Sequence, residues 1–129
     1  MVLGPQDRFF GADRIELLLG ATFRLTDAYD RMGVRLRGPS LAPEAALAIP
    51  SEAVLRGSIQ VAGDGVAAVL LADHQATGGY PKIATVVDSD LDGFVQLRPH
   101  AAVGFRAMTP ERAVATRRAR AQALARLLG

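Results

Sequence analysis

Apolar and polar residues alternate along much of this chain, in short runs cut by Gly and Pro. Alternation with period 2 marks strands buried on one face. "TFRLTDA" (22–28) sets Phe23 and Leu25 on one side, and "GVRLRG" (33–38) sets Val34 and Leu36 against Arg35 and Arg37. The spacing predicts a strand for each, the second with its arginines outward or facing a site. "SIQVAGDGVAAVLLA" (58–72) reads as two strands around a turn, because Gly65 after Asp64 tolerates positive φ. "KIATVVD" (82–88) is a β-branched strand and "AAVGFRAM" (101–108) a last one. Residues 39–57 contain three prolines and read as a long connection.

Helical spacing occurs in three places. Over 11–20, Ile15, Leu18 and Leu19 share a face and Gly20 offers a stop. Over 89–97, Ser89 is placed as an N-cap, with Asp90 and Asp92 near the positive end of the helix. From Thr109 as N-cap and Pro110 at the first helical position, a helix runs to about Leu128. Val114, Ala121, Leu124 and Leu128 are placed to dock it on the body. Many short strands with tight turns and few helices predict a mainly β domain, a barrel or a sandwich, over 1–109, followed by a helix over 110–129.

Charge changes the picture only at the end. Residues 110–129 hold five Arg against one Glu, for +4, while residues 1–109 hold ten basic against twelve acidic groups, for −2. A basic helix can bind nucleic acid or an acidic partner. No aromatic or base-reading motif accompanies it, so a solvated face is favoured and nucleic acid is not expected as a partner. With no cysteine, disulfides, thiolate metal sites and cysteine nucleophiles are excluded, and a reducing cytoplasm is the expected setting. No apolar run approaches the roughly 20 residues of a membrane helix, so no membrane association is expected. The first residues lack the layout of a signal peptide.

Candidate chemistry concentrates in "LLADHQATGGYPKIATVV" (70–87), where a polar corner joins two apolar runs. His74 titrates near neutrality and is a candidate general base, or an ordinary turn histidine. Gly78 and Gly79 allow a sharp turn and could bring their N–H groups to an anion. Tyr80 could donate its hydroxyl to a developing oxyanion, or be a core aromatic with a wet end. Lys82 is the only lysine in an Arg-rich chain. A compact ammonium at that place is chemically distinct from a guanidinium. Gln75 and Thr77 can bond a ligand or satisfy the turn. A second candidate lies in "YDRMGVRLRG" (29–38). There Asp30 and Arg31 could converge on a turn, and Arg35 with Arg37 could hold a carboxylate or phosphate. His74 and His100 are too far apart to be a zinc signature, and "GDG" is not a phosphate-binding loop.

Three stretches, "DRMGVRLRGP", "GSIQVAGDGVAAVLLADHQATGGYPKIATVVDSDL" and "QLRP", resemble the family called allophanate hydrolase subunit 2. The same family is named biotin-dependent carboxyltransferase or the C subunit of 5-oxoprolinase. It includes a Kip-type antagonist of a sporulation-kinase inhibitor and half of the carboxyltransferase domain of urea carboxylase. The resemblance runs from about Leu3 to Met108 and is most specific from Gly57 to Asp90. It matches the second half of the family's chains, so the sequence is expected to be a piece of a longer chain or a split protein. Departures are Tyr29, where the family carries Ser; Ala76, where it carries Thr; the lack of an Arg near His74; and His100, where Gly is usual.

The resemblance implies a cyclophilin-like β-barrel, without prolyl isomerase activity. It implies a 5-oxoprolinase or biotin-dependent carboxyltransferase acting on a small amide or urea-like substrate with a subunit-1-type partner. Carboxybiotin or ATP would come through the assembly rather than through a motif in this chain. In that chemistry His74 or Asp30 would serve as base, and Gly78, Gly79 or Tyr80 would face the oxyanion. Lys82 or Arg35 would hold a carboxylate, and Arg31, Gln75 and Thr77 would bind substrate. Alone, the chain is expected to be inactive and to self-associate through an uncovered apolar patch. The alternative is a non-catalytic regulatory module that docks on the subunit-1 partner.

Overall fold

The computed structural model describes residues 1–4, 10–29, 33–42, 52–53, 56–71, 77–78 and 80–128. Among them the strands are β1 (Val2–Leu3), β2 (Phe23–Tyr29), β3 (Gly33–Arg37), β4 (Glu52–Ala53), β5 (Ser58–Val61), β6 (Ala67–Leu70), β7 (Thr77–Gly78), β8 (Lys82–Thr85) and β9 (Ala102–Val103). The helices are α1 (Ala12–Gly20), α2 (Asp88–Val95) and α3 (Pro110–Leu128). Seven strands form one antiparallel sheet in the order β1-β8-β5-β6-β3-β2-β9. β4 and β7 form a separate two-stranded sheet.

The chain beyond one edge of the large sheet reaches the start of the other. The segment following β9 bonds Met1, which precedes β1. The Met1 amino group donates to the Arg106 carbonyl at 2.9 Å, and the Met1 carbonyl accepts from Met108 N–H at 2.8 Å. One residue bonded to two residues spaced by two is the pattern of a parallel ladder. It curls the sheet toward closure, so the barrel reading holds over the sandwich. Inside lie Leu25, Val34, Ile59, Val61, Val69 and Ile83, all at 0% exposure, with Leu18 of α1 and Leu91 of α2.

Burial pushes the pKa of the Met1 amino group below its ordinary value of 8.0, with the Asp90 charge acting the other way. The folded chain therefore binds fewer protons than the unfolded chain between that lowered pKa and 8.0. This group's contribution is most favourable above 8.0, where both states are neutral, and is lost as pH falls through the folded pKa. Urea midpoints measured at pH 6 and pH 8.5 are expected to rise with pH. The part of the rise due to this amine should vanish when it is acetylated.

Local chemistry accounts for most elements. In the β5–β6 hairpin, Gly65 has φ +84° and Val66 N–H donates to Asp64 Oδ1 at 3.0 Å, as the Asp-Gly pair predicts. Thr109 caps α3, its Oγ1 accepting from Arg112 N–H at 3.2 Å. Four expectations are corrected. α2 begins after Val87, whose extended backbone forms the N-cap without a side-chain bond, so Ser89 lies inside the helix. The strand over 101–108 shrinks to Ala102–Val103. The connection over 39–57 contains β4, because Glu52 and Ala53 find partners in β7. Val114 is exposed rather than docked, at 48%. The other residues placed to dock the helix, Ala121, Leu124 and Leu128, have side chains outside the described part.

His100 adopts φ +68°, the left-handed region that glycine enters freely and that strains other residues by about 1–2 kcal/mol. The position where the family usually carries Gly is thus one whose backbone asks for it. His100 is held there by its N–H to Leu25 O at 2.8 Å and by its Nε2, 3.1 Å from Asp27 Oδ1.

Gly38 packs against the ring of Phe23, which is 1% exposed and meets Phe105 edge to face at 5.8 Å. A Cβ at Gly38 would overlap that ring. Gly38→Ala is expected to cost about 1–3 kcal/mol by overpacking. Combined with Phe23→Leu it should cost less than the sum of the two single changes, which a double-mutant cycle of urea midpoints measures.

Candidate functional site

The polar corner is more than a turn. Thr77 and Gly78 form β7, paired antiparallel with β4 in the register Glu52↔Gly78 and Ala53↔Thr77. The proline-rich connection thus reaches across to the corner. It is tied down just beyond β4 by Gly57, bonded to Leu70 O and Val86 N–H, and by a loose Arg56–Asp92 ion pair at 3.9 Å. An exposed pair of that kind adds little stability, so the backbone bonds do the anchoring.

After β7 the chain bends at Tyr80, which is 54% exposed, and two residues later buries Lys82 at 2%. Pro81 lies between them, buried, its carbonyl accepting from Val61 N–H at 3.0 Å. Pro81, Lys82, Ile83 and Ala84 are all buried, and a bulge interrupts the strand among them. β8 pairs Ala84 with Ile59 but Lys82 with Gln60, so Ile83 has no opposite number on β5. A bulge breaks the two-residue alternation and re-aims a side chain.

Cross-strand register then assembles a polar row. Residues directly opposite in an antiparallel pair share a face. Lys82 faces Gln60, Gln60 faces Ala68, and Ala68 faces Arg35. Ser58 and Thr85 are opposite one another two residues along on the same face as Gln60. Ile59, Ala84 and Val69 take the other face, in the core. Ser58 and Lys82 are the buried polar residues of the described chain, and they sit on adjacent strands. The sequence reading missed Ser58, Gln60 and Thr85. Their signal was the alternation in "SIQV", which puts Ser58 and Gln60 together.

The predicted site residues divide as follows. Lys82 and Arg35 end one row but stand three strands apart, about 14 Å at the usual strand spacing. Tyr80, two residues before Lys82 in the chain, is exposed. Thr77 and Gly78 are placed by backbone only. Asp30, Arg31, His74, Gln75 and Gly79 lie outside the described residues. Arg35 also lines a groove of about 450 Å³ with Thr26, Arg37, Ser40, Asp64 and Val66.

A buried ammonium opposite an amide, with two hydroxyls two residues along the same face, is a donor-rich row of the kind that suits a carboxylate or a polarised carbonyl oxygen. The described residues contain no cluster of His, Cys, Asp or Glu able to hold a metal ion. None of their helices is long and apolar enough to cross a membrane.

Residues 1–107 match the family described as the carboxyltransferase domain, subdomain A and B. The chain is 43% identical over 89 residues to the C subunit of 5-oxoprolinase from Haemophilus influenzae, a match covering 69% of this chain and 29% of that protein. It is 32% identical over 94 residues to the C subunit of 5-oxoprolinase from Escherichia coli, covering 73% and 30%. The chain thus spans under a third of the length of these curated relatives. The crystal structure of TTHA0988 superposes with a TM-score of 0.69 at 36% identity, over 82% of this chain and 20% of that one. The Kluyveromyces lactis urea carboxylase shares the fold, with a TM-score of 0.77 at 23% identity over 87% and 11%.

Proposed function

This chain belongs to the carboxyltransferase-domain family, subdomains A and B, and from that premise we propose that it is part of a multi-subunit 5-oxoprolinase. It supplies one wall of the site at which a small cyclic amide is opened. The observation that carries the reading is the identity to the C subunits of 5-oxoprolinase from two bacteria. Within that reading we assign the site to Lys82; the support is that it is buried and that a bulge sets the face it takes.

The net reaction adds water across the ring amide, breaking the C–N bond of 5-oxoproline and releasing glutamate, with ATP hydrolysed to drive it. This chain's part is positional and electrostatic. The Lys82 ammonium, with Gln60 on its face, would hold the substrate carboxylate or the carbonyl oxygen as charge grows on it. Gly78 and Gly79 would bring backbone N–H groups to the same anion, and Tyr80 its hydroxyl. His74 and Asp30 are the proton carriers this reading assigns. ATP, or biotin in the carboxyltransferase variant of the chemistry, would be brought by the rest of the assembly, with the subunit-1-type protein as neighbour.

The test is reconstitution. The parent protein is combined with its partner subunits, ATP and 5-oxoproline, and glutamate release is followed. Release that requires this protein is the expected result. Biotin-dependent carboxylation of urea or a related amide, with no glutamate formed, would select the carboxyltransferase chemistry instead. Silence in both would overturn the catalytic reading in favour of the regulatory module.

A further inference from the structure

Arginines cluster on the outer face of β2 and β3; the resemblance sets Arg35 among them on a substrate carboxylate, but it stands three strands from Lys82, and the amide chemistry assigned to Lys82 does not use the cluster. Arg24 of β2 lies directly opposite Arg37 of β3, and Arg35 stands two residues along on the same face as Arg37. All three are exposed. Like charges placed directly opposite on neighbouring strands destabilise a sheet. Arg24 donates one N–H to the His100 carbonyl, at 3.1 Å. The side chains of Arg35 and Arg37 make no hydrogen bond or ion pair with any described residue.

These two arginines form one wall of the 450 Å³ groove. The tip of the β5–β6 hairpin, Asp64 to Val66, lines it too, as does the strip at 38–40. That strip is fixed: Leu41 N–H donates to Gly65 O at 2.9 Å, Leu41 is fully buried, and Ser40 packs so tightly on Gly65 that a Cβ there would collide with its hydroxyl. The Arg35 carbonyl accepts from Thr26 Oγ1 at 2.9 Å, which steadies β3 from the other side. The groove's acidic group, Asp64, has Oδ1 held by Val66 N–H. Two guanidinium groups, unpaired among the described residues, thus extend from backbone positions about 7 Å apart along β3, over a preformed concavity.

The geometry points to an oxyanion-binding site in this groove, for the carboxylate or phosphate group of a small molecule, gripped by the forks of Arg35 and Arg37. Guanidinium forks match both oxyanions bidentately, which an ammonium cannot do. The site faces the hairpin tip, not Lys82, and the proposal stands whether or not the chain serves a 5-oxoprolinase.

The test follows the arginine Nε–Hε resonances of the purified protein at constant ionic strength, titrated with inorganic phosphate in one arm and glutarate in the other. Saturable shifts of Arg35 and Arg37, with Arg98 and Arg106 unmoved, are expected in at least one arm. The arm that saturates names the ligand's acid group. Arg37→Gln, an exposed change, should weaken binding about tenfold, the scale of one lost charged hydrogen bond. Asp64→Asn should tighten it by removing the facing negative charge. The site is refuted by shifts that grow linearly and equally at all four arginines, by no shift in either arm, or by binding that survives Arg37→Gln unchanged.

Discussion

Gly57→Ala is expected to lower the stability of the chain by about 2–4 kcal/mol, through left-handed strain, overpacking and a weakened hydrogen bond together. Gly57 has φ +89°, where any side chain is strained. Its N–H donates to Leu70 O at 2.7 Å, and its carbonyl accepts from Val86 N–H at 2.8 Å. One residue therefore ties the end of β6 to the end of β8. A Cβ at this position would lie 2.7 Å from the Val86 carbonyl oxygen and 3.0 Å from Leu91 Cδ1. Leu91 is fully buried and the oxygen is backbone, so neither can simply swing away. Relief requires moving the end of β8, which weakens the bond to Val86. Against a total of about 5–15 kcal/mol, this is a large fraction. Thermal unfolding should fall by roughly 10 °C for a domain of this size. Gly93→Ala is the control: it lies inside α2 with open space around its Cβ position, so the midpoint should rise slightly as helix propensity improves. Equal midpoints for Gly57→Ala and the parent chain would mean that the close approach at Val86 does not exist.

What could be read from the sequence is what is decided within a few residues. The Asp64-Gly65 turn, the Thr109-Pro110 helix start and the outward Arg35 and Arg37 each depend on neighbours in the chain, and each is found in the structure. What could not be read depends on distant partners. β4 and β7 are two residues each, too short for any period, and exist because they meet. The closing bonds of Met1 join it to Arg106 and Met108, across almost the whole chain. The bulge at Ile83 erases alternation, so β8 reads as a fully apolar strand with a lysine at its start. Ser89 has the chemistry of a cap, but the backbone at Val87 turns into the helix first. Lys82 stands out by its rarity, a clue of composition. Its neighbours Ser58, Gln60 and Thr85 emerge only once register is known, because register sets which residues of two strands share a face.

Lys82→Met in the reconstituted assembly is expected to reduce turnover by about 10²–10³-fold, the scale of one lost preorganised electrostatic contact. Methionine matches the length and much of the volume of the lysine stem, so a 2%-exposed pocket should keep its packing. The backbone pairing of β8 with β5 and β1 does not involve the side chain. Lys82→Arg should not restore activity: the guanidinium is larger and planar, and a 2%-exposed position leaves it no solvent to expand into. Lys82→Ala should lose activity as well, with added destabilisation from the cavity left by the stem. The pattern across the three variants separates chemistry from packing. If the ammonium acts on substrate, turnover falls in all three while partner binding persists and the methionine variant stays folded. If Lys82 only fills space, the methionine variant remains active and the alanine variant fails by unfolding. That second outcome would remove Lys82 from the site and leave the exposed Tyr80 and the β4–β7 corner as the surface to test next.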